Sequence, residues 1–494
     1  MFLKITKHDS MRNFLIVFTF FITVLSSCSP KETDKDLALI EKIENNLLPA
    51  MIIEGDSLQT YNINERMEHY NIPGVSIAFI NDGKVKWAKG YGYLSAESTQ
   101  PVNENTLFQA ASVSKPVAAM AALHLVDDGK LGLDDDVNIH LKGWKVEEND
   151  YTTIDKVTLR RILSHSAGLT VHGFGGYSSA DTIPGILQIL NGEEPANSHR
   201  IYTDTIPGTI YRYSGGGYTV MQKLLTDITG MTFPDLMNMY VLEPVGMINS
   251  TYKQPLPGEL AGNAAIGHKP DGSKVPGKWH SYPEMAAAGL WTTPTDLLKY
   301  ALEVQYSLNG QANNVISQKM TEEMLTSQIN SHGLGPALSD ESNSPGFSHG
   351  GANEGYRCQL FAFTGGQGLV IMTNSDNGGQ LIPEILRSFS AVYSWPVYKP
   401  DEKTIIEIRE DDLSQYAGNY SFNWQGTEMI IALSVTGGHL KGKQLWDNIS
   451  FDIYPESDLL FFNIDDGAPF EFKRNESGEI NEIIIREQYA FKKK

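Results

Sequence analysis

Cysteine is nearly missing: two in 494 residues. One of them, Cys28, stands in a leader-like segment, so Cys358 has no partner and no disulfide framework is possible. Basic charge is scarce as well, with 39 Lys and Arg against 59 Asp and Glu and a net charge of -20. Such a chain repels phosphate backbones, and no basic patch with interleaved aromatics appears, so nucleic acid is not an expected partner. No apolar run reaches the roughly 20 residues that a membrane-spanning helix needs. Internal repeats and low-complexity segments are absent too, which excludes solenoids and long disordered tracts. There is no His-Glu-x-x-His pattern around His165 or His172, and Asp134 to Asp136 lacks the alternating ligands and glycine of an EF-hand loop. His165 therefore reads as structural, and neither a metal nor an organic cofactor is expected. What remains is 41% hydrophobic and 20% charged, an ordinary globular composition with length for two or three domains.

The N-terminus reads as an export signal: Lys4, Lys7 and Arg12 precede the apolar stretch Phe14 to Leu25, and small residues lead to Cys28. His8 and Asp9 fit such a signal poorly, which points to a start at Met11. Leu25-Ser26-Ser27-Cys28 resembles a bacterial lipobox, which implies cleavage before Cys28, lipidation of its thiol, and a membrane-anchored protein of the cell envelope, periplasmic or at the surface. The competing reading is a secreted protein with an incidental cysteine.

Ser29 to Asp36 is polar and reads as a tether, followed by a helical run around Leu37 to Leu48. Val75 to Ile80, Asp82-Gly83 and Val85 to Tyr93 predict a hairpin. Helices are expected from Pro116 to Val126, Thr158 to Leu163, Tyr218 to Ile228 and Thr295 to Val304, and a second hairpin within Phe347 to Thr373. Pro396 and Pro400 mark a linker. Beyond Asp412, strand-like runs at Met429 to Val435, Leu459 to Ile464, Phe470 to Lys473 and Ile480 to Ile485 predict a small antiparallel barrel or sandwich. The expected division is a signal peptide (1–27), a lipid-anchored tether and lead-in (28–54), a catalytic domain (55–396), a linker (397–411) and a β domain (412–494).

Three motifs carry chemistry. Ser112 and Lys115 stand at i and i+3 at the mouth of a predicted helix, where an amine can act as base to a serine and helix N–H groups favour an oxyanion. A Ser-x-x-Lys arises about once by chance in a chain this long; a second, Ser250 and Lys253, has no helix following. Tyr213, in Tyr211-Arg-Tyr213-Ser214-Gly215, is the candidate to carry a proton to the leaving group, against the alternative of a buried loop anchor. His349-Gly350-Gly351-Ala352, read as lying before a strand at Tyr356 to Phe363, lets a backbone approach a substrate carbonyl. Gly346-Phe-Ser348-His-Gly350 imitates a nucleophile elbow but lacks its strand-then-helix setting, and Ser375-Asp376-Asn377 reads as a turn and helix cap.

In this order and approximate spacing, Ser112-Val-Ser-Lys115, Tyr213-Ser-Gly215 and His349-Gly-Gly351 resemble the three motifs of the serine β-lactamase-like superfamily. That group spans class C β-lactamases, penicillin-binding proteins, D-aminopeptidases and related esterases. Gly129 to Asp135, Leu163 to Leu169 and Ala288 to Asp296 also look like it. The resemblance implies an α+β domain, an antiparallel sheet flanked by helices with a helical subdomain. A C-terminal β-barrel follows, which Tyr416-Ala-Gly418-Asn-Tyr420 makes similar to the lipocalin-like barrels of some relatives. It implies Ser112 as acylated nucleophile, Lys115 as base, Tyr213 as proton shuttle, and His349 in place of a usual lysine. Oxyanion N–H groups would come from Ser112 and Ala352, with Gly350, Gly351 and Gly215 near the substrate. Gly215 stands where many relatives carry asparagine, which is expected to enlarge the site. The C-terminal domain is expected to border the cleft. The implied activity is acyl-enzyme hydrolysis of small amides or esters such as D-amino-acid-containing peptides, with a carboxylesterase, a weak β-lactamase or a non-turnover penicillin-binding sensor as alternatives. The partner would be a small-molecule or short-peptide substrate; the oligomeric state is open.

Overall fold

The computed structural model describes residues 34–424 and 426–494, so Cys28 and the leader lie outside the described residues. The first element, α1 (Asp34–Glu44), is followed by the short strand β1 (Met51–Ile53). Ile40, Ile43 and Leu47 are buried in a core behind the main sheet. The i, i+3 spacing of Ile40 and Ile43 gives the helix one apolar face, so the lead-in packs on the body, while most of the polar stretch read as a tether, Ser29 to Asp36, lies outside the described residues.

The main sheet is built from both halves of the chain. Its strands are β2 (Gly74–Asn81), β3 (Lys84–Gly92), β4 (Ala337–Glu341), β5 (Ser344–Asn353), β6 (Tyr356–Phe363) and β7 (Gly368–Thr373), in the order β3-β2-β7-β6-β5-β4 and antiparallel throughout. Asp82 and Gly83, at φ of 53° and 66°, make the tight left-handed turn between β2 and β3. Central strands are apolar on both faces because both are covered. Val75, Ile77 and Phe79 of β2 point into the core under α1, while Ala78 and Ile80 point into the other. The His349-Gly-Gly motif lies within β5, not ahead of a strand: Gly351 pairs with Cys358 of β6. Pro345 and three glycines hid that strand by lowering its β propensity.

Between the sheet halves lie helices α2 (Ser114–Asp127), α3 (Leu159–Leu163), α4 (Gly215–Thr229), α5 (Met285–Ala288) and α6 (Pro294–Leu308). Helix α2 is apolar on every side and is correspondingly buried from Ser114 to Leu123. Thr158, Ser214 and Thr293 cap α3, α4 and α6 by accepting N–H bonds through their hydroxyls. Helix α7 (Gly378–Tyr393) closes the rear face with α1. No helix of the described residues is long and apolar enough to cross a membrane.

After α7 the chain is not a free linker. Strand β8 (Asp401–Lys403) pairs in parallel with β1, Met51 opposite Asp401. Eight further strands then form a closed antiparallel barrel: β9 (Gly418–Trp424), β10 (Thr427–Thr436), β11 (His439–Gln444), β12 (Ser450–Pro455), β13 (Leu460–Asn463), β14 (Pro469–Arg474), β15 (Ile480–Ile485) and β16 (Tyr489–Lys493). Four of these, β9, β11, β12 and β16, went unread because lysines, aspartates and asparagines on their outward face break the apolar runs.

Candidate active site

Ser112 sits in a 3-10 turn, Ala111–Val113, that runs directly into α2. Ala111 holds φ of +50°, a left-handed conformation for a residue with a Cβ, so the backbone bends sharply just before the serine. Lys115 reaches back along α2 and its Nζ donates to Ser112 Oγ at 3.0 Å and to the carbonyl of Ala287 in α5 at 2.8 Å. Among the described residues, no ionic partner faces that ammonium. Burial alone pushes its pKa from 10.5 down to about 7.

Tyr213 lies across from this pair, with Lys115 Nζ 4.9 Å from its ring centre. Burial raises its phenol above the ordinary value, partly offset by a hydrogen bond with Ser112. His165, read from sequence as structural, grips the tyrosine on both sides. Its carbonyl accepts the Arg212 N–H at 2.8 Å, its Nδ1 accepts the Ser214 N–H at 3.1 Å, and its ring centre lies 4.2 Å from that of Tyr213. Because Nδ1 accepts, the proton sits on Nε2, which is buried with no partner among the described residues.

His349 on β5 is buried and its Nδ1 donates to the Gly350 carbonyl at 2.6 Å. Burial, with Lys115 adding to it, pushes its pKa down to about 3, so the ring is neutral throughout the physiological range and supplies no cation. Gly351 is required by close approach: a Cβ there would stand 2.3 Å from the Ala110 carbonyl oxygen. Strand β4 pairs with β5 only as far as Ser348, leaving the Gly350–Ala352 edge free beside the Ser112 turn. Ser112, Tyr213, His349, Gly350, Gly351 and Ala352 share one cleft of about 850 Å³ with His172, Tyr211 and His332.

The second Ser-x-x-Lys is separate from this cleft: Ser250 Oγ is engaged by Asp296 at 2.9 Å and by Thr292 at 2.7 Å. Ser348 stands inside β5 with no helix behind it, and Asp376 pairs with Arg357 at 2.7 Å. Asp134 binds Arg160.

The family model named Beta-lactamase matches residues 61–385, well over half of the chain. The chain belongs to the Beta-lactamase family. Protein flp of Staphylococcus aureus strain N315 is 26% identical over 255 residues, covering 50% of this chain and 48% of that protein. Unguisins hydrolase ungD of Aspergillus violaceofuscus is 27% identical over 276 residues, covering 51% and 44%. The chain thus spans about half the length of the curated relatives it matches. Among solved structures, the octameric penicillin-binding protein homologue from Pyrococcus abyssi superposes with a TM-score of 0.60 at 22% identity, over 87% of this chain and 98% of that one. SurE, solved with D-Leu, gives 0.53 at 20%, over 87% and 97%. These likenesses establish the fold.

This Beta-lactamase family site differs from its sequence reading at two points. Gly215 does not line the cleft and does not enlarge it. It is buried in the first turn of α4, where a Cβ would already lie 3.1 Å from both the Phe174 ring and the His172 carbonyl oxygen. Phe174 occupies the space a longer side chain would fill. Sequence reasoning also passed over Asn353, whose buried Nδ2 donates to Gln109 at 2.7 Å and to the Ala288 carbonyl at 3.1 Å. That side chain ties the end of β5 to the segment leading into Ser112 and to the α5 turn holding Lys115. A lone asparagine after a glycine run carries no sequence signal for such a role.

Proposed function

We propose that this protein is a serine hydrolase that forms and then hydrolyses an acyl-enzyme at Ser112, acting on small amides and esters and, within them, on short D-amino-acid-containing peptides. The observation that carries the reading is the buried Lys115 amine, 3.0 Å from Ser112 Oγ and with a pKa of about 7. An amine that is half unprotonated at neutral pH takes the serine proton as Oγ attacks the substrate carbonyl. The oxyanion settles against the N–H groups of Ser112 and Ala352 at the free edge of β5. Tyr213, held protonated by burial, passes a proton to the leaving group and regains one from Lys115, which had taken it from the serine; water then attacks the acyl-enzyme, and its proton returns through Lys115 to Ser112 Oγ as the acid leaves. SurE, solved with D-Leu, supports the D-amino-acid part of this reading, and the unguisins hydrolase its hydrolytic part.

A neutral His349 offers no charge to a substrate carboxylate, which favours amide and ester turnover over strong β-lactam recognition. A panel of nitrocefin, a short acyl nitrophenyl ester and a D-alanyl anilide tests this reading. Turnover of the anilide and ester above that of nitrocefin is expected, whereas acylation without turnover of any of them makes the protein a sensor. Export and lipidation at Cys28 are part of the proposal; a lipid-labelled wild type and an unlabelled Cys28→Ala protein are the expected result.

A further inference from the structure

The C-terminal barrel is packed solid at one end and hollow at the other. At the packed end, Tyr416 enters the interior beside Phe461 and Phe472 with ring centres 5.0 and 4.9 Å apart, and its hydroxyl donates to the Asp458 carbonyl at 2.6 Å. Toward the opposite mouth the inward side chains leave a cavity of about 330 Å³. Its walls include Phe422, Phe451, Phe470, Tyr489 and Phe491. Protein interiors close over voids of this size, because the lining forfeits its contacts on the empty side. That one half of a single barrel is filled and the other is not makes the hollow a feature of this sequence. The rim adds a second sign: Trp424 and Trp446, which line the cavity, and nearby Ile449 are all exposed.

We infer that this cavity is a binding site for an uncharged, ring-containing small molecule, distinct from the catalytic cleft. The size follows from volume: a cavity of about 150 Å³ accepts one benzene, so there is room for roughly two such rings. The charge follows from the walls. Among the described residues that line the cavity, Arg486 is the single ionic one, and its guanidinium is paired outside with Asp466. Aromatic faces and edges on several sides complement a flat ring in stacked or edge-on contact. Ligand pockets of about 300 Å³ or more, mostly apolar and aromatic with a few polar groups, fit this description, and Gln444 and Asn463 are the polar groups present. None of the barrel's described residues lines the Ser112 cleft, so occupancy is not expected to depend on catalysis.

Calorimetric titration of the whole protein with 2-naphthol, uncharged at pH 7, tests the inference. One saturable site per chain is expected, accompanied by quenching of tryptophan fluorescence, and it persists after Ser112 has been blocked with a fluorophosphonate. Ala468→Leu and Met429→Trp, which fill the cavity, each weaken binding at least tenfold while ester hydrolysis stays unchanged. Trp424→Leu, at a rim position that is half exposed, also weakens binding. Absence of saturation, affinity unchanged in Trp424→Leu and the filled variants, or binding abolished by blocking Ser112 would each overturn the site. So would a concentration-dependent dimer that excludes 2-naphthol by closing one barrel mouth on another.

Discussion

Burial is what makes Lys115 a base. A lysine in water holds its proton until far above neutrality, and here no carboxylate restores that preference. Hydrolysis of a nitrophenyl ester is therefore expected to rise with pH through an acid limb centred near 7, falling about tenfold per pH unit below it as the amine is protonated. His349→Ala should keep that limb, because the imidazole titrates near 3; a limb that vanished with His349 would assign the titration to the wrong group. Tyr213 depends in turn on His165, which bonds the residues on either side of it. Displacing the hydroxyl by about 1 Å is worth on the order of 100-fold in rate, so His165→Ala should lower kcat by about that amount with little change in KM. His165→Asn should recover part of the loss, since asparagine tolerates the φ of +57° and offers an oxygen to the Ser214 N–H. Equal defects in the two variants would make the ring a mere filler. Ser112 and Lys115 were legible in the sequence because their spacing is local, and Tyr213 because it heads a Tyr-Ser-Gly run in the expected order after them. His165 was not legible as a clamp, since its partners are nearly fifty residues away.

At the scale of elements, strand β5 and the α5 turn fix where the carbonyl of a substrate can lie. Gly351→Ala drives a methyl against the Ala110 carbonyl oxygen 2.3 Å away, so β5 must retreat from Ser112. Acylation is expected to fall at least tenfold, and because the clash is with backbone the melting temperature falls as well; wild-type kinetics would show that this edge does not form the oxyanion site. The α5 turn opens with Glu284, fully buried, whose carboxyl oxygens have no hydrogen-bond partner among the described residues. Burial pushes its pKa up from 4.5 to about 8. A folded-state pKa above the unfolded one means stability that is complete below about pH 4.5 and is lost as pH rises through 8. Glu284→Gln should therefore raise the melting temperature at pH 9 more than at pH 5, read by thermal unfolding at both. An equal shift at both values would show that the carboxyl does not titrate there. Elements with strong local signals, such as the Asp82-Gly83 hairpin and the capped helices, were legible. Strand β5 was not, because its glycines serve close approach to Ser112 instead of local strand propensity.

Over the whole molecule, the catalytic body extends to residue 34 at one end and holds the β8 segment at the other, with the barrel beyond it. Pro396 and Pro400 marked a linker, but the pairing of β1 with β8 depends on two strands far apart in sequence, which no local pattern reveals. Among the described residues, those lining the cleft run no further than Tyr398, so no described barrel residue is part of its wall. Removing residues 412–494 should accordingly leave kcat/KM for small and large substrates within about twofold of the intact chain, the scatter of a change remote from the site; a shift in size selectivity would place the barrel over the cleft. The central claim concerns one oxygen, Ser112 Oγ. Peptide mapping by mass spectrometry after fluorophosphonate treatment addresses it most directly. The adduct is predicted on the peptide holding Ser112 in wild type, absent from Ser112→Ala, and formed much more slowly in Lys115→Ala. An adduct that persists in Ser112→Ala, or that maps to Ser250 or Ser348, would contradict the account.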